Sequence, residues 1–266
     1  MATSKFRTTE LSNPEFEMDG LRFITVKSSH LKGRGDICVF VPEGEYRDLP
    51  MVTLLHGVWG SCWVWPMMGN AHGVANNLIN SGQIKPMILA MPSDGLWGDG
   101  SAYMPHGEQD FEKWIAEDVP QAVLENIPQV SKTSKHFISG LSMGGYGALK
   151  IGARYGEQYA GISAHSSITA FDQMQLFVEE SEEHYRSSNK ELEDAFTSII
   201  NNRAKLPPLR IDCGESDLLI EYNRTLHQRL NEEEIDHVYQ EFPGGHEWAY
   251  WQEHLVDTLE FFNNYC

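Results

Sequence analysis

Positive charge is what this chain has least of. Its 266 residues carry 20 Lys and Arg against 38 Asp and Glu, a formal net charge of −18. A field of that sign repels polyphosphates and anionic headgroups, so neither nucleic acid nor a membrane surface is expected as a partner. Long apolar runs are missing as well. No stretch approaches the roughly 20 apolar residues that a membrane-spanning helix needs. The four cysteines, Cys38, Cys62, Cys213 and Cys266, form no C-x-x-C pair, which removes the usual zinc and dithiol patterns. No G-x-G-x-x-G or P-loop run is present, so no nucleotide site is expected. His72 and His106 lack partners at ligand spacing, and neither metal nor cofactor is expected. The opening residues Met1-Ala-Thr-Ser-Lys-Phe-Arg7 hold no apolar segment of the signal-peptide kind, and a cytoplasmic location is expected. Repeats and low-complexity linkers are absent, so residues 1–266 read as one domain. At 41% hydrophobic residues the chain can bury a sizeable core without covalent staples.

What is there alternates between strand and helix. Short apolar runs at Leu21–Val26, Asp36–Val41, Met51–Leu55, Met87–Met91, His136–Ser139, Tyr159–Ala164, Leu209–Cys213 and His237–Phe242 read as strands. Helical periodicity fills gaps at Ala71–Asn80, Phe111–Ile127, Gly145–Tyr155, Asn223–Asn231 and Trp248–Phe262, with Pro120 expected to break or kink the second. This order predicts an α/β protein with about eight mostly parallel strands and helices on both faces.

One junction carries chemistry. His136-Phe-Ile-Ser-Gly-Leu-Ser-Met-Gly-Gly145 runs from a strand through G-x-S-x-G into a helix. That context makes the motif a nucleophile elbow: the sharp turn lifts the Ser142 hydroxyl clear of the sheet, and the flanking glycines remove side chains that would collide. A serine hydroxyl needs a base, and the base needs an orienting acid. Downstream, Gly214-Glu-Ser-Asp217 leaves the end of one strand, and Pro243-Gly-Gly-His246 leaves the end of the last. Asp217 is preferred to Asp212, which lies inside its strand, and to Glu215, which reads as turn surface. His246 is preferred to His56, His106, His165, His227, His237 and His254, because a Gly-Gly hinge lets its ring swing over the site. A tetrahedral oxyanion needs two N–H donors. The Met143 N–H beside the nucleophile is one candidate. The loop His56-Gly-Val-Trp-Gly-Ser61 supplies the other, Val58 first and Trp59 as the fallback, with His56 as a loop-ordering residue.

Five segments together resemble the putative esterase family of α/β-hydrolases: Leu54-Leu-His-Gly-Val58, Met91-Pro-Ser-Asp-Gly95, Gly140-Leu-Ser-Met-Gly-Gly145, Cys213-Gly-Glu-Ser-Asp217 and Gly244-Gly-His-Glu-Trp-Ala-Tyr-Trp251. That family includes feruloyl and acetyl-xylan esterases, tributyrin-type carboxylesterases, S-formylglutathione hydrolases and mycolyl transferases. The resemblance implies an α/β-hydrolase fold with Ser142 as nucleophile, Asp217 as acid, His246 as base, and Val58 and Met143 as oxyanion donors. It implies a serine ester hydrolase for short-chain acyl or aryl esters, small or saccharide-linked. Acyl transfer, formylglutathione-type thioester hydrolysis and a non-catalytic binding role are the alternatives. The formylglutathione subgroup usually carries a Cys-Thr-containing loop after the oxyanion strand. Here that loop reads Val58-Trp-Gly-Ser-Cys-Trp-Val-Trp65, which moves the expectation toward the carboxylesterase and feruloyl-esterase members.

Two features bear on substrate choice. Trp59, Trp63 and Trp97 sit in loops near the expected site and are candidates to line a cleft. Trp248 and Trp251 fall on the last helix and read as packing. Residues 169–206 form a polar insertion between two strands, a candidate helical lid or a solvated excursion. A homo-oligomer is compatible with the composition.

Overall fold

The computed structural model describes residues 4–185 and 189–266. Its centre is a nine-stranded sheet. The strands are β1 (Thr9–Leu11), β2 (Leu21–Ser28), β3 (Gly33–Phe40), β4 (Met51–Leu55), β5 (Ile88–Pro92), β6 (His136–Leu141), β7 (Gly161–His165), β8 (Leu209–Gly214) and β9 (Val238–Phe242). They lie in the order β1-β2-β3-β5-β4-β6-β7-β8-β9. The pairs β1–β2, β2–β3 and β3–β5 are antiparallel, and every pair from β5 across to β9 is parallel. All eight expected strands are present, most with ends shifted by a residue or two. The ninth, β1, is three residues long, too short to show a period of two in the sequence.

The order reverses between β4 and β6. After β4 the chain crosses to β5 on one side; after β6 it crosses to β7 on the other. The two loops therefore diverge and leave a crevice beyond the carboxyl ends of β4 and β6, the position where open α/β sheets bind ligands. Register makes this concrete. Leu55 pairs with Gly140, so the residues that follow β4 and β6 leave the sheet side by side.

Strand alternation divides the core into two. Val52 and Leu54 of β4, with Phe137 and Leu141 of β6, face one side, against α1 (Ala71–Asn80) and α5 (Trp248–Asn263). Met51 and Leu55, with Ile138, face the other, against α2 (Val119–Asn126), α3 (Met143–Arg154) and α4 (Ile220–Glu232). Central strands buried on both faces explain why β4, β5 and β7 read as nearly unbroken apolar runs.

The expected helix over 111–127 is interrupted. Phe111–Lys113 is α-helical, Trp114–Asp118 forms a π turn, and Val119 donates back to the Trp114 carbonyl. Pro120 then falls in the first turn of α2, where its missing N–H costs no hydrogen bond. Among its described residues the 169–206 insertion holds short helices, Phe171–Leu176, Glu182–Tyr185, Lys190–Glu193, Ala195–Asn201 and Arg203–Lys205. Met174, Tyr185, Leu192, Ala195 and Ile199 of this segment are buried in the main core.

Candidate active site

Ser142 sits between the end of β6 and the start of α3, at φ 54° and ψ −120°. That conformation is strained for a residue with a side chain. The surroundings impose it. The Ser142 N–H donates to the His165 carbonyl at 3.0 Å, and the Ser142 carbonyl accepts from Tyr146 at 3.1 Å and Ile168 at 3.3 Å. The glycines of the motif allow backbone to pack on backbone. A Cβ at Gly140 would lie 2.3 Å from the Gly144 carbonyl oxygen, and one at Gly144 would lie 2.3 Å from that of Leu55.

His246 reaches this serine from the far side of the crevice. Its Nε2 is 3.0 Å from Ser142 Oγ, and its Nδ1 is 2.9 Å from Asp217 Oδ2 and 3.0 Å from Oδ1. A carboxylate can only accept, so Nδ1 carries the ring proton and Nε2 offers a lone pair to the serine O–H. Asp217 is buried, and its Oδ1 also accepts from the Leu219 N–H at 2.8 Å. Acid and base are held in one loop cluster. Glu215 N–H donates to the Phe242 carbonyl and Ser216 N–H to that of Gly244, which ties the loop after β8 to the loop after β9.

The competing residues go elsewhere. Glu215 is exposed. Asp212 is fully buried, takes the Tyr250 hydroxyl at 2.8 Å, and is held by Arg210 and His165. Burial alone would raise its pKa; the adjacent His165 and Arg210 charges outweigh that and hold it at about 2. His227 and His237 bond each other, and His254 faces Asp257. Cys62 is buried and its thiol is pushed up by desolvation, so it stays protonated and is no rival nucleophile.

The loop after β4 passes directly against the serine. A Cβ on Gly57 would sit 3.3 Å from Ser142 Cβ. The Val58 N–H takes no partner among the described residues. The Met143 N–H, first in α3, has no intrahelical acceptor. Trp59 is different: its N–H donates to the Asp99 carbonyl at 2.7 Å, which removes it as the fallback donor. His56 orders this loop. Its Nε2 accepts from the Asp94 N–H at 3.0 Å, so its Nδ1 donates to the Gly57 carbonyl at 2.6 Å. Asp94 in turn accepts from the Leu96 and Ser101 amides, and Tyr103 donates to the His56 carbonyl.

The tryptophans divide. Trp59 and Trp63 are exposed. Trp97 is half-buried, with its ring edge-on to His106 at 4.5 Å and Tyr185 at 4.9 Å, so much of its surface is spent on packing. Two residues beside His246 escaped the sequence reading of the site. Phe177 of the insertion stacks on the ring at 5.3 Å, and Trp251, read as plain packing, meets it edge-on at 5.0 Å. Nothing local marks Phe177; only the folded insertion brings it there. Among the described residues, no group of three or more His, Cys, Asp or Glu could hold a metal ion, and no helix is long and apolar enough to cross a membrane.

A mostly parallel sheet covered on both faces, with a strand–serine–helix turn at its switch point, defines an α/β-hydrolase fold. Solved structures agree. A fluorophosphonate-binding serine hydrolase of Staphylococcus aureus superposes with a TM-score of 0.79 at 22% identity, covering 91% of this chain and 97% of that one. A ferulic acid esterase superposes at 0.77 and 23% identity, covering 98% and 99%. In sequence, the acetyl esterase of Caldicellulosiruptor saccharolyticus is 27% identical over 240 residues, 84% of this chain and 86% of that protein. The profile of the putative esterase family matches residues 28–262. The chain belongs to that family and is a serine carboxylic-ester hydrolase.

Proposed function

We propose that Ser142, His246 and Asp217 carry the hydrolysis, on short-chain acyl or aryl esters, through an acyl-enzyme. The observation that supports this reading is the continuous chain of contacts from Asp217 through His246 to Ser142 Oγ. His246 Nε2 takes the serine proton as Oγ attacks the ester carbonyl. Asp217 stabilises the imidazolium that forms. The N–H groups of Val58 and Met143 receive the developing oxyanion, and the imidazolium returns its proton to the leaving alcohol. Water activated by His246 then releases the acid.

The substrate class rests on the exposed rings of the oxyanion loop and on the likeness to an acetyl esterase and a ferulic acid esterase. An acetyl group needs little wall, whereas an aryl acid needs a flat apolar face, and Trp59 and Trp63 are the exposed rings of the oxyanion loop. Each further acyl CH₂ contributes about 0.8 kcal/mol only while there is surface to bury it against. Residues 1–266 act as one domain in this reading, with 169–206 as a cap beside the site. Free thiols at all four cysteines fit a reducing compartment such as the cytoplasm. The test is kcat/KM on p-nitrophenyl esters of rising acyl length, beside methyl ferulate and acetylated xylan, in wild type and Trp63→Ala. A maximum at acetyl to butyryl or at the aryl ester is expected, with Trp63→Ala weakening aryl more than acetyl turnover. Preference for palmitoyl esters refutes the assignment.

A further inference from the structure

At the opposite end of the sheet from Ser142, α4 and the residue that leads into β9 bring two histidines together. His227 Nδ1 lies 2.8 Å from His237 Nε2, and both side chains are half-buried at the surface. The surrounding bonds fix every ring nitrogen. His237 Nδ1 is 2.7 Å from the Ile235 carbonyl, an acceptor only, so that nitrogen holds the proton and His237 Nε2 presents a bare lone pair. His227 Nδ1 therefore donates to it, and the Asn231 amide donates to His227 Nε2 at 3.1 Å. The His227 ring is further fixed by stacking on Tyr239 at 4.2 Å and 11°.

We propose that His227 and His237 form a two-histidine site for a divalent transition-metal ion of the zinc or nickel kind. Three observations support it. The two facing nitrogens, His227 Nδ1 and His237 Nε2, already lie 2.8 Å apart at the surface, with the His227 ring held by its stack on Tyr239. The Ile235 carbonyl behind His237 is the outer partner that orients metal-binding imidazoles and sets their tautomer. The Glu241 carboxylate, ion-paired with Arg224, accepts the Tyr239 hydroxyl and so holds the ring on which His227 stacks. Zinc–nitrogen bonds of about 2.0–2.1 Å at a tetrahedral angle need the two nitrogens about 3.3 Å apart. The side chains reach that by opening about half an ångström. The proton on His227 Nδ1 moves to Nε2 and is accepted by the Asn231 side-chain oxygen after its amide turns, so no charge is gained or lost. Water fills the remaining positions. The ion would pin α4, which follows Asp217, to β9, which precedes His246. It takes no part in ester hydrolysis.

The test is thermal unfolding of the intact protein with and without saturating Zn²⁺ or Ni²⁺, with Mg²⁺ as an oxygen-preferring control. Binding to the native state alone at a hundredfold excess over Kd raises Tm by about 5 °C. The rise is expected in wild type, absent with Mg²⁺, and lost in both His227→Ala and His237→Ala. If His237→Ala does not fold, His227→Ala on the half-exposed face of α4 decides, together with calorimetric titration at one ion per wild-type chain. No rise in wild type, or a rise that survives either substitution, overturns the site.

Discussion

The molecule contains two Asp–His–hydroxyl clusters of similar spacing, used differently. In one, Asp217 lies 2.9 Å from His246 Nδ1, and His246 Nε2 lies 3.0 Å from Ser142 Oγ. In the other, Asp212 lies 2.8 Å from His165 Nδ1, and His165 Nε2 lies 2.9 Å from Thr258 Oγ1. The distances alone do not separate them. Exposure of the histidine and charge balance do. Thr258, His165 and Asp212 are fully buried, and Arg210 binds the same Asp212 oxygen that faces His165. Thr258 is also tied to Ser163 at 2.7 Å. Ser142, by contrast, stands on a strained turn at the switch point, with a half-buried histidine beside it. The buried chain is scaffold: the carbonyl of its own His165 is what accepts the Ser142 N–H.

Substitution separates the two chains most sharply at their hydroxyls. Ser142→Ala should cost roughly 10⁶ in kcat, whereas Thr258→Ala should leave kcat within about tenfold and lower Tm instead. Steady-state turnover of p-nitrophenyl acetate measures the first and thermal unfolding the second. Retention of more than a few per cent of activity in Ser142→Ala would remove it as nucleophile. The acids come next. Asp217→Asn should drop kcat by about 10⁴ with Tm little changed. Asp212→Asn strands a buried guanidinium and should destabilise the fold by about 3–5 kcal/mol, with the folded fraction still active. Loss of activity at unchanged stability in Asp212→Asn would erase the distinction.

Acid gives a smaller and separable effect. Asp212 titrates at about 2 in the folded protein, against about 3.9 for a free aspartate. A carboxyl with a depressed folded pKa stabilises fully above its unfolded value and loses that contribution as pH falls toward the folded one. Between about pH 5 and pH 1 the fold should therefore lose on the order of 2 kcal/mol through this group. Denaturant unfolding at stepped pH measures it, and Asp212→Asn should flatten that part of the slope. Smallest of all is Phe177→Ala. Removing one ring from the face of His246 should lower kcat by roughly 2- to 12-fold, the equivalent of a lost aromatic pair of about 0.5–1.5 kcal/mol. An unchanged kcat would show that Trp251 and Asp217 suffice to hold the imidazole.

These contrasts also mark what could be read before folding. Ser142, Asp217 and His246 each follow a strand and sit in a glycine-bearing turn, a local pattern that a linear chain displays openly. Strands β4, β5 and β7 are equally visible, because burial on both faces writes nearly unbroken apolar runs. The His165–Asp212 pair was not, since each residue looks like an ordinary strand position and only the parallel register of β7 and β8 places them together. Phe177 beside His246 is hidden for the same reason. The π turn before Pro120 is hidden because residues 111–119 are buried nearly all round, so the phase slip leaves no change of pattern in the sequence.

Asp99 joins the insertion to the oxyanion loop. Its carbonyl takes the Trp59 N–H, its carboxylate takes the Glu179 N–H, and Glu180 takes the Asp99 N–H at 3.0 Å. The Tyr185 hydroxyl adds a bond to the Gly100 carbonyl. In terms of protein engineering, residues 94–101 and 169–206 are a single cassette. A chimera that imports a new cap to change acyl preference must import its matching 94–101 loop as well, or Trp59 loses its anchor and the cradle beside Ser142 loosens with it.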